Sequence, residues 1–436
     1  MMGKGGGGMS AAVGDAAGQS PRRDRWRVLA AGPGIVFLLS SIGPSDLVSN
    51  SAAGANFGYS LLWTLLVIGA ARFVVLEASA RYVIATGESV LQGYRRAARW
   101  SSWAFFGAIV FRRHLSNLYH VLLMGLAPCL LLGIDSPMAR GVCSVVSAGA
   151  AFAVMYGGGY KMVEKFSKPL AFLLGSALLL TMIWARPVPG DVAAGLLKPS
   201  LPEDSGAGGG LAVVLLMLVG TGVGSLSNLK YSAFTFEKGW RDPSYLKRQR
   251  IDMMLSLLGA FLIAAMLQVA AGAVLRPEGL TLSKAEELVP LFTAALGDAG
   301  RVLMAVGLWT TVFTTYIGSN TGYSLLVCDI VASVRGSEQS PEQRHRLYRG
   351  FLLFFCISPL YVLWTDWKPV PLVILSAALM TLALPLVALL LLRITTDRTL
   401  MGRHVNGRLA TCALVVVTIA SLAVTWQGAR ALWARF

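Results

Sequence analysis

Long apolar runs, separated by short polar and basic segments, make up most of the chain. Eleven stretches approach or exceed the roughly 20 mostly apolar residues that a membrane-spanning helix needs. Their approximate limits are residues 30–57, 60–86, 103–133, 139–158, 168–186, 210–236, 251–275, 299–333, 349–365, 369–393 and 408–427. The pattern predicts an all-α membrane protein with about eleven transmembrane helices.

The first and sixth of these stretches are interrupted near their middle. The first contains Gly43-Pro44-Ser45-Asp46, and the sixth contains small and polar residues from Thr221 to Asn228. Pro removes a backbone donor, Gly weakens a helix, and unwound backbone at membrane depth must be satisfied by protein or by a water-lined cavity. Paired breaks five spans apart favour two inverted repeats with a transporter site near the midplane. Two kinked packing helices are the alternative.

Composition and charge agree with a lipid environment. Charged residues are 14% of the chain, against about 25% in soluble domains, and mean hydropathy is +0.63. The net charge of +16 comes from cations that lie mostly in the connections after even-numbered spans. We interpret them as cytoplasmic loops of a multi-pass inner-membrane protein with a cytoplasmic N-terminus, and not as a nucleic-acid surface.

Domain organisation follows from the same pattern. Residues 1–27 are Gly-rich and then basic, which predicts a disordered cytoplasmic tail. Residues 28–436 are predicted to form one transmembrane transporter domain, with repeat one at 30–186, repeat two at 210–393 and an extra helix at 408–427. The chain contains no GxxxxGK[ST], HExxH or CxxC motif, which argues against an ATP-driven pump or an enzyme and predicts no cofactor.

Asp46 is the only acid in either interrupted segment. A carboxylate deep in a bilayer costs about 2.5–3.5 kcal/mol on insertion scales, so a cation, a proton or a buried base must offset it. We expect a role in binding substrate or a coupling ion. Alternatively, Asp46 caps the second half of its helix by accepting from the N–H of Val48 or Ser49.

Oxygen-bearing residues surround Asp46 in the two interrupted segments. The candidate substrate-binding residues are Asp46, Gly43, Ser45, Asn50, Thr221, Gly224 and Ser227. Oxygen-only sites suit Mg²⁺, Ca²⁺ or Mn²⁺. The same residues also fit an amine or another polar organic solute, and each hydroxyl or amide alone is expected to satisfy only the backbone.

Four further polar residues have alternative interpretations. Asn117 and His120 share a helix face, so His120 is a candidate proton relay or a core imidazole bonded across helices. Arg72 and Glu77 are five residues apart, which is a poor spacing for an intrahelical pair. We expect each of them to find a partner on another helix or to line the cytoplasmic cavity.

Several motifs resemble the NRAMP-type divalent metal transporter family. The first is Gly32-Pro33-Gly34 followed by residues 51–59 and Leu61-Leu62-Trp63. The second is Ser79-Ala80-Arg81 with Ala85-Thr86-Gly87, and the third is the loop at 396–406. The resemblance covers nearly the whole chain after the tail, and it implies a LeuT-like fold of two inverted five-helix repeats with broken helices 1 and 6.

The departures from that family fall at its binding site. The family's usual Asp-Pro-Gly-Asn corresponds to Gly43-Pro44-Ser45-Asp46, and its Met-Pro-His corresponds to Gly224-Ser225-Leu226. Thr221 stands where Ala is usual. The soft thioether is therefore missing, and Gly224 widens the site.

Two further departures lie outside the breaks. The family's acidic proton-route positions correspond to Asn117 and His120, and its helix-10 Gln corresponds to Ala377. The resemblance thus implies the fold but not the usual ion selectivity or proton coupling.

The sequence predicts a secondary transporter of divalent metal cations that works by alternating access. Hard ions such as Mn²⁺ or Mg²⁺ are expected to be favoured over soft ones, with Asp46, Gly43 and Thr221 as metal ligands and protons as a candidate coupling ion. The alternatives are a transporter of an organic cation or amino acid on the same fold, and a non-transporting membrane sensor.

Overall fold

The computed structural model describes residues 32–134, 136–202, 210–223, 225–279, 288–336 and 339–433. The predicted tail, residues 1–27, and Gly224 lie outside these ranges. The described chain is helical with short connections and contains no strand, which confirms the all-α class. The helices are α1 Pro33–Ser41, α2 Pro44–Phe57, α3 Leu62–Thr86, α4 Val90–Ala97, α5 Ser101–Leu132, α6 Pro137–Ala185, α7 Pro189–Leu197, α8 Gly210–Val223, α9 Ser225–Glu237, α10 Leu246–Val274, α11 Leu288–Arg335, α12 Pro341–Ile357, α13 Pro369–Leu382, α14 Leu384–Thr396, α15 Arg398–Met401 and α16 Arg408–Trp433.

The first predicted interruption is present. The first span is divided into α1 and α2 at Ile42 and Gly43, whereas the second predicted interruption falls at Gly224, outside the described residues, with α8 ending at Val223 and α9 beginning at Ser225. Ile42 has an extended backbone, and Pro44 occupies the first position of α2, where its missing N–H is harmless. The sequence therefore located the break in the first span correctly, and the break in the sixth span stays a prediction.

The predicted boundary between the fourth and fifth spans is absent. The predicted spans 139–158 and 168–186 lie in a single 49-residue helix, α6, which contains Pro169. The glycines at 157–159 favoured a break, but each costs only about 1 kcal/mol inside a helix and is readily tolerated.

The predicted number of eleven spans is not confirmed. Seven stretches of the described chain form helices that are long and apolar enough to cross a membrane. The two halves of the first span, α1 and α2, have only 9 and 14 residues, so neither is long enough to cross alone, since a crossing takes about 20 residues. The sixth span is described as α8 and α9, with 14 and 13 residues on either side of position 224.

Helices α1 and α2 are enclosed by the second half of the chain. Helix α1 contacts α9, α10 and α11, while α2 contacts α8 and α10. Gly318 of α11 lies so close to α1 that an added Cβ would be 2.5 Å from the Cβ of Ser40. Small residues at such crossings let membrane helices approach closely. The packing places the break between α1 and α2 in the interior, beside α8 and α9.

Candidate substrate site at the helix breaks

Asp46 caps the N-terminus of α2, but through a different donor from the one predicted. Its Oδ2 accepts from the Gly43 backbone N–H at 2.9 Å, rather than from Val48 or Ser49. The Gly43 carbonyl accepts from the N–H groups of Asp46 and Leu47 at 2.9 and 3.1 Å. That carbonyl is the start of the α2 hydrogen-bond ladder, so the break does not leave it without a partner, and its role as a metal ligand stays a prediction.

The carbonyl groups at the end of α1 are satisfied by side chains. Ser40 O accepts from Ser319 Oγ at 2.8 Å and from the Lys230 ammonium. Ile42 O accepts from Thr315 Oγ1 at 2.5 Å. The C-terminal end of a helix carries partial negative charge, and in broken transporter helices it is where a coupling cation binds. Here a lysine side chain and two hydroxyls from α11 take that place.

A cavity of about 20 Å³ lies beside the break between α1 and α2, where α8 and α9 also line it. This volume is enough for about one water molecule. Its lining includes six of the predicted residues: Gly43, Ser45, Asp46, His120, Thr221 and Ser227. A neighbouring cavity of about 50 Å³ shares Asp46 and Thr221 and adds Asn50 and Arg72. The structure thus brings the predicted substrate residues together, except Gly224, which lies outside the described residues.

The predicted oxygen donors are engaged with their neighbours. Thr221 Oγ1 lies 3.4 Å from Ser49 Oγ, which ties α8 to α2. Asn50 donates through Nδ2 to the Asp46 carbonyl at 2.9 Å. Ser227 Oγ accepts from Arg112 Nη2 at 3.1 Å. Within the described chain, no cluster of three His, Cys, Asp or Glu residues that could hold a metal ion occurs.

The two predicted proton-route residues separate into different environments. Asn117 donates to Asn320 Oδ1 at 3.0 Å and to the Phe355 carbonyl at 2.7 Å, away from the cavity. His120 lines the cavity, and its Nδ1 lies 2.6 Å from the Ser116 carbonyl. A carbonyl only accepts, so Nδ1 carries the hydrogen and Nε2 of a neutral ring is an acceptor. The two residues therefore do not form one polar path.

Four buried cations surround this site, and none of them is among the predicted substrate-binding residues. Arg72, Arg112, Arg113 and Lys230 are 5%, 8%, 1% and 1% exposed. Arg112 and Arg113 line the cavity itself, and the charges of Arg72 and Lys230 act on Asp46. The signal was present, because basic residues inside apolar spans are expensive and mark functional positions.

Neutral groups, rather than carboxylates, hold these cations. Arg72 Nε donates to Asn228 Oδ1 at 3.2 Å, and Arg113 Nε donates to Asn320 Oδ1 at 2.6 Å. The guanidinium of Arg112 lies 5.1 Å from the ring centroid of Tyr323, whose hydroxyl accepts from Arg112 Nη1. Among the described residues, none of the four forms an ion pair with a carboxylate. Asp46 is the one described acid that lines either cavity.

The remaining polar predictions resolve into pairs between helices. Glu77 binds Arg250 of α10 at 3.0 Å as well as Arg81, and Arg72 bonds Asn228 of α9, so the predicted partners on other helices are confirmed. Arg81 also donates to the His404 carbonyl at 2.6 Å. Two of the motifs that carried the family resemblance are therefore in contact.

A family model described as natural resistance-associated macrophage protein-like, or Nramp, matches residues 34–428. The chain belongs to this family. The divalent metal cation transporter MntH of Bacillus subtilis is 24% identical over 432 residues, covering 95% of each chain. The metal transporter Nramp3 of Oryza sativa subsp. japonica is 24% identical, covering 91% of this chain and 72% of its own.

Solved structures show the same fold. The crystal structure of the Eremococcus coleocola manganese transporter in complex with an aromatic bis-isothiourea substituted compound matches with a TM-score of 0.72 and 18% identity, covering 94% of this chain and 89% of that one. Mhp1, a nucleobase-cation-symport-1 family transporter with bromovinylhydantoin bound, matches with a TM-score of 0.56 and 14% identity, covering 92% and 90%. The LeuT-like fold is thus confirmed for a multi-pass membrane protein whose relatives are transporters rather than enzymes.

Proposed function

We propose that this Nramp-family protein is a secondary transporter that works by alternating access, with its substrate cavity enclosed by the break between α1 and α2 and by helices α8 and α9. One observation carries the proposal: the break between α1 and α2 lines a buried cavity that contains the Asp46 carboxylate, and α8 and α9 line the same cavity through Thr221 and Ser227. Unwound backbone at membrane depth is tolerated where it lines such a cavity. We place the protein in the cell membrane, or the inner membrane of a double-membraned cell, with a cytoplasmic N-terminus.

The relatives' names suggest a divalent metal cation as cargo. The cavity lining agrees in one respect, because hydroxyl and carboxylate oxygens suit hard ions such as Mn²⁺ or Mg²⁺ better than soft ones. The preference for hard over soft ions stays a prediction on this basis. It applies to any metal ion that reaches Asp46.

The charge of the site opposes a bare divalent cation. Two unit charges about 8 Å apart interact by about 2 kcal/mol at an effective dielectric constant of about 20, and a divalent ion doubles that figure. A divalent cation beside Asp46 gains from one carboxylate and is repelled by Arg112 and Arg113, with Arg72 and Lys230 close behind. The proposed activity is therefore alternating-access transport, and the cavity charge decides the cargo.

Labelling of the cavity from both membrane faces tests the proposal without knowledge of the cargo. Ser45→Cys places a thiol in the cavity lining. The variant is made in a background in which the exposed Cys412 and the half-buried Cys143 are replaced by Ser. In right-side-out and inside-out vesicles, a membrane-impermeant maleimide is expected to react with the thiol of the Ser45→Cys variant from either face.

A matched variant controls for general reagent access. Ser232→Cys lies on α9, is 1% exposed in the native chain and lines neither cavity, so it is expected to stay unlabelled. Labelling of the Ser45→Cys variant from one face alone under every condition would contradict alternating access. That result would favour a non-transporting sensor on the same fold.

A further inference from the structure

The charges around the 20 Å³ cavity beside Gly43 and Asp46, called the central cavity from here on, are mostly positive. Arg112 and Arg113 line it, and Asp46 is the one described carboxylate there. Lys230 interacts electrostatically with both arginines, with Arg72 and with Asp46, so the five groups form one electrostatic cluster. A buried lysine can lose its proton, but a guanidinium keeps its charge. Three arginines therefore remain against one carboxylate, even if Lys230 is neutral.

Several donors of this cluster have no acceptor. Arg113 Nη2 and Arg112 Nε are buried from water and have no hydrogen-bond partner among the described residues. Arg113 as a whole is 1% exposed. A guanidinium only donates, and a buried donor without an acceptor is costly, more so when it is charged. These two donors therefore lack a negatively charged acceptor among the described residues.

The cation position that the fold offers is already occupied. The Lys230 ammonium donates to the α1 carbonyl of Ser40 and bonds the hydroxyl oxygen of Ser319. Oxygen atoms of this kind bind a coupling ion at a broken helix. A second cation entering beside Asp46 would meet this ammonium together with Arg112 and Arg113. The arrangement accommodates an anion better than another cation.

We infer that the solute bound in the central cavity is a small oxyanion, such as a carboxylate, held by Arg112 and Arg113. This inference rests on the proposed transport function and names its substrate class. The planar guanidinium matches two oxygens of one carboxylate through parallel N–H donors. Asp46 lies on the same cavity and repels the anion, which keeps binding weak enough for release.

The large cavity at the predicted cytoplasmic end has an excess charge of the same sign. It has a volume of about 1130 Å³ and is lined by five arginines and three acids: Arg95, Arg96, Arg99, Arg241, Arg344, Glu88, Glu237 and Asp329. Cytoplasmic loops are generally basic, so this excess does not identify the substrate. It does raise the local concentration of anions at that mouth of the protein.

Ligand-dependent thermal unfolding of the purified full chain in detergent tests the inference. Sodium formate, oxalate and nitrate are compared with sodium chloride and MnCl₂ at matched ionic strength. A saturable rise in Tm with at least one of the carboxylates is expected, because a ligand of the folded state stabilises it. A rise with nitrate alone would overturn the carboxylate assignment, since it would indicate a site for inorganic anions.

Two substitutions give opposite expected shifts. Asp46→Asn removes the repelling charge and keeps an oxygen for the Gly43 N–H, so it is expected to tighten oxyanion binding. Arg113→Gln removes a charged donor and is expected to weaken binding about tenfold or more. Arg393→Gln, on the exposed end of α14, is the matched control and is expected to leave binding unchanged.

The Asp46→Asn result decides the inference even if Arg113→Gln fails to fold. Weaker oxyanion binding in Asp46→Asn would overturn it, because Asp46 would then hold the ligand. A saturable Mn²⁺ effect that Asp46→Asn abolishes, without any oxyanion effect, would also overturn it. The labelling of Ser45→Cys from both faces is independent of either result, so failure of the inference and failure of the transport proposal are distinguishable.

Discussion

At the scale of single residues, Asp46 acts on both the helix and the cavity. Its Oδ2 caps α2 through the Gly43 N–H, while the residue lines both small cavities. The two interpretations that the sequence left open, a capping residue and a cavity carboxylate, are therefore compatible in the structure. The sequence did not show that the charges surrounding Asp46 are mostly positive.

The cap can be separated from the charge by substitution. Asp46→Ala removes the acceptor for the Gly43 N–H and is expected to lower stability by about 1 kcal/mol. Asp46→Asn keeps an acceptor of the same shape and is expected to stay close to the native Tm. Thermal unfolding in detergent compares the two, and equal losses in both variants would show that charge rather than capping stabilises α2.

Gly43 stands where the family usually has its acidic ligand, and the neighbouring helix has filled the space. A Cβ added to Gly43 would lie 2.9 Å from the methyl carbon of Thr315. The backbone at Gly43 is extended, so space and not backbone conformation restricts this position.

Restoring the family acid is therefore expected to fail by itself. Gly43→Asp should lower Tm and give no Mn²⁺ uptake, whereas Gly43→Asp with Thr315→Ser should recover stability, because serine lacks the clashing methyl and keeps the hydroxyl that donates to Ile42 O. Gly107→Ala is the control, since nothing lies within 4 Å of its added Cβ. Mn²⁺ uptake by the single variant would contradict the cavity description.

The buried cations show why the sequence alone did not predict every residue of the site. Arg113 bonds Asn320, and Arg112 contacts Tyr323, which are more than 200 residues away along the chain. Sequence placed these arginines inside a span but gave no information about which helix faces them. Their burial and their convergence on Asp46 depend on the packing of α5 against α11.

At the scale of helices, the end of α1 is stabilised by α9 and α11. Lys230 and Ser319 both donate to Ser40 O, and Thr315 donates to Ile42 O. These contacts satisfy carbonyls that a helix break leaves without intrahelical partners. The sequence predicted the break from Gly43 and Pro44, because local backbone chemistry determines it, but not what completes it.

Removing the lysine is expected to open the position to a free cation. Lys230→Ala deprives Ser40 O and Ser319 Oγ of a charged donor, so a loss of about 1.5–3 kcal/mol is expected. Carbonyls at such a helix end bind Na⁺, so NaCl should restore more of the Tm than choline chloride does. The exposed Lys247→Ala is the control, and an equal response to both salts would contradict a cation site at this helix end.

Helix α6 shows the opposite outcome for a local signal. The limits of the predicted spans, 139–158 and 168–186, left a loop between them, yet the helix continues from Pro137 to Ala185. Glycine lowers helix propensity without forbidding the helix, and proline removes a donor without always ending it, so neither residue alone predicts a break reliably. Even Pro169 lies inside α6.

At the scale of the whole molecule, ion pairs connect helix ends on the predicted cytoplasmic side. Arg344 of α12 binds Asp329 of α11 at 2.9 Å and Glu237 of α9 at 3.3 Å. The Asp329 side chain is 2% exposed, so its carboxylate depends on this partner. Glu237 and Asp329 also line the large cavity at that end of the protein.

Breaking this connection is expected to destabilise the side facing the large cavity. Arg344→Gln leaves the buried Asp329 without its cation, and a loss of about 2 kcal/mol or more is expected. Arg398→Gln, at the start of the short exposed helix α15, is expected to have little effect. Hydrogen exchange of the backbone amides in α9 and α11 measures this loss of stability. Unaltered protection in Arg344→Gln would show that the ion pair does not stabilise this end of the protein.

Uptake by the purified protein in proteoliposomes distinguishes an oxyanion substrate from a divalent metal substrate. Radiolabelled oxalate and Mn²⁺ are offered to the native chain and to Asp46→Asn. We expect both proteins to take up oxalate, and Asp46→Asn to do so at a lower half-saturating oxalate concentration. We expect little Mn²⁺ uptake by either protein, because the buried arginines outnumber the single carboxylate. Mn²⁺ uptake that Asp46→Asn abolishes, without oxalate uptake, would contradict an oxyanion substrate.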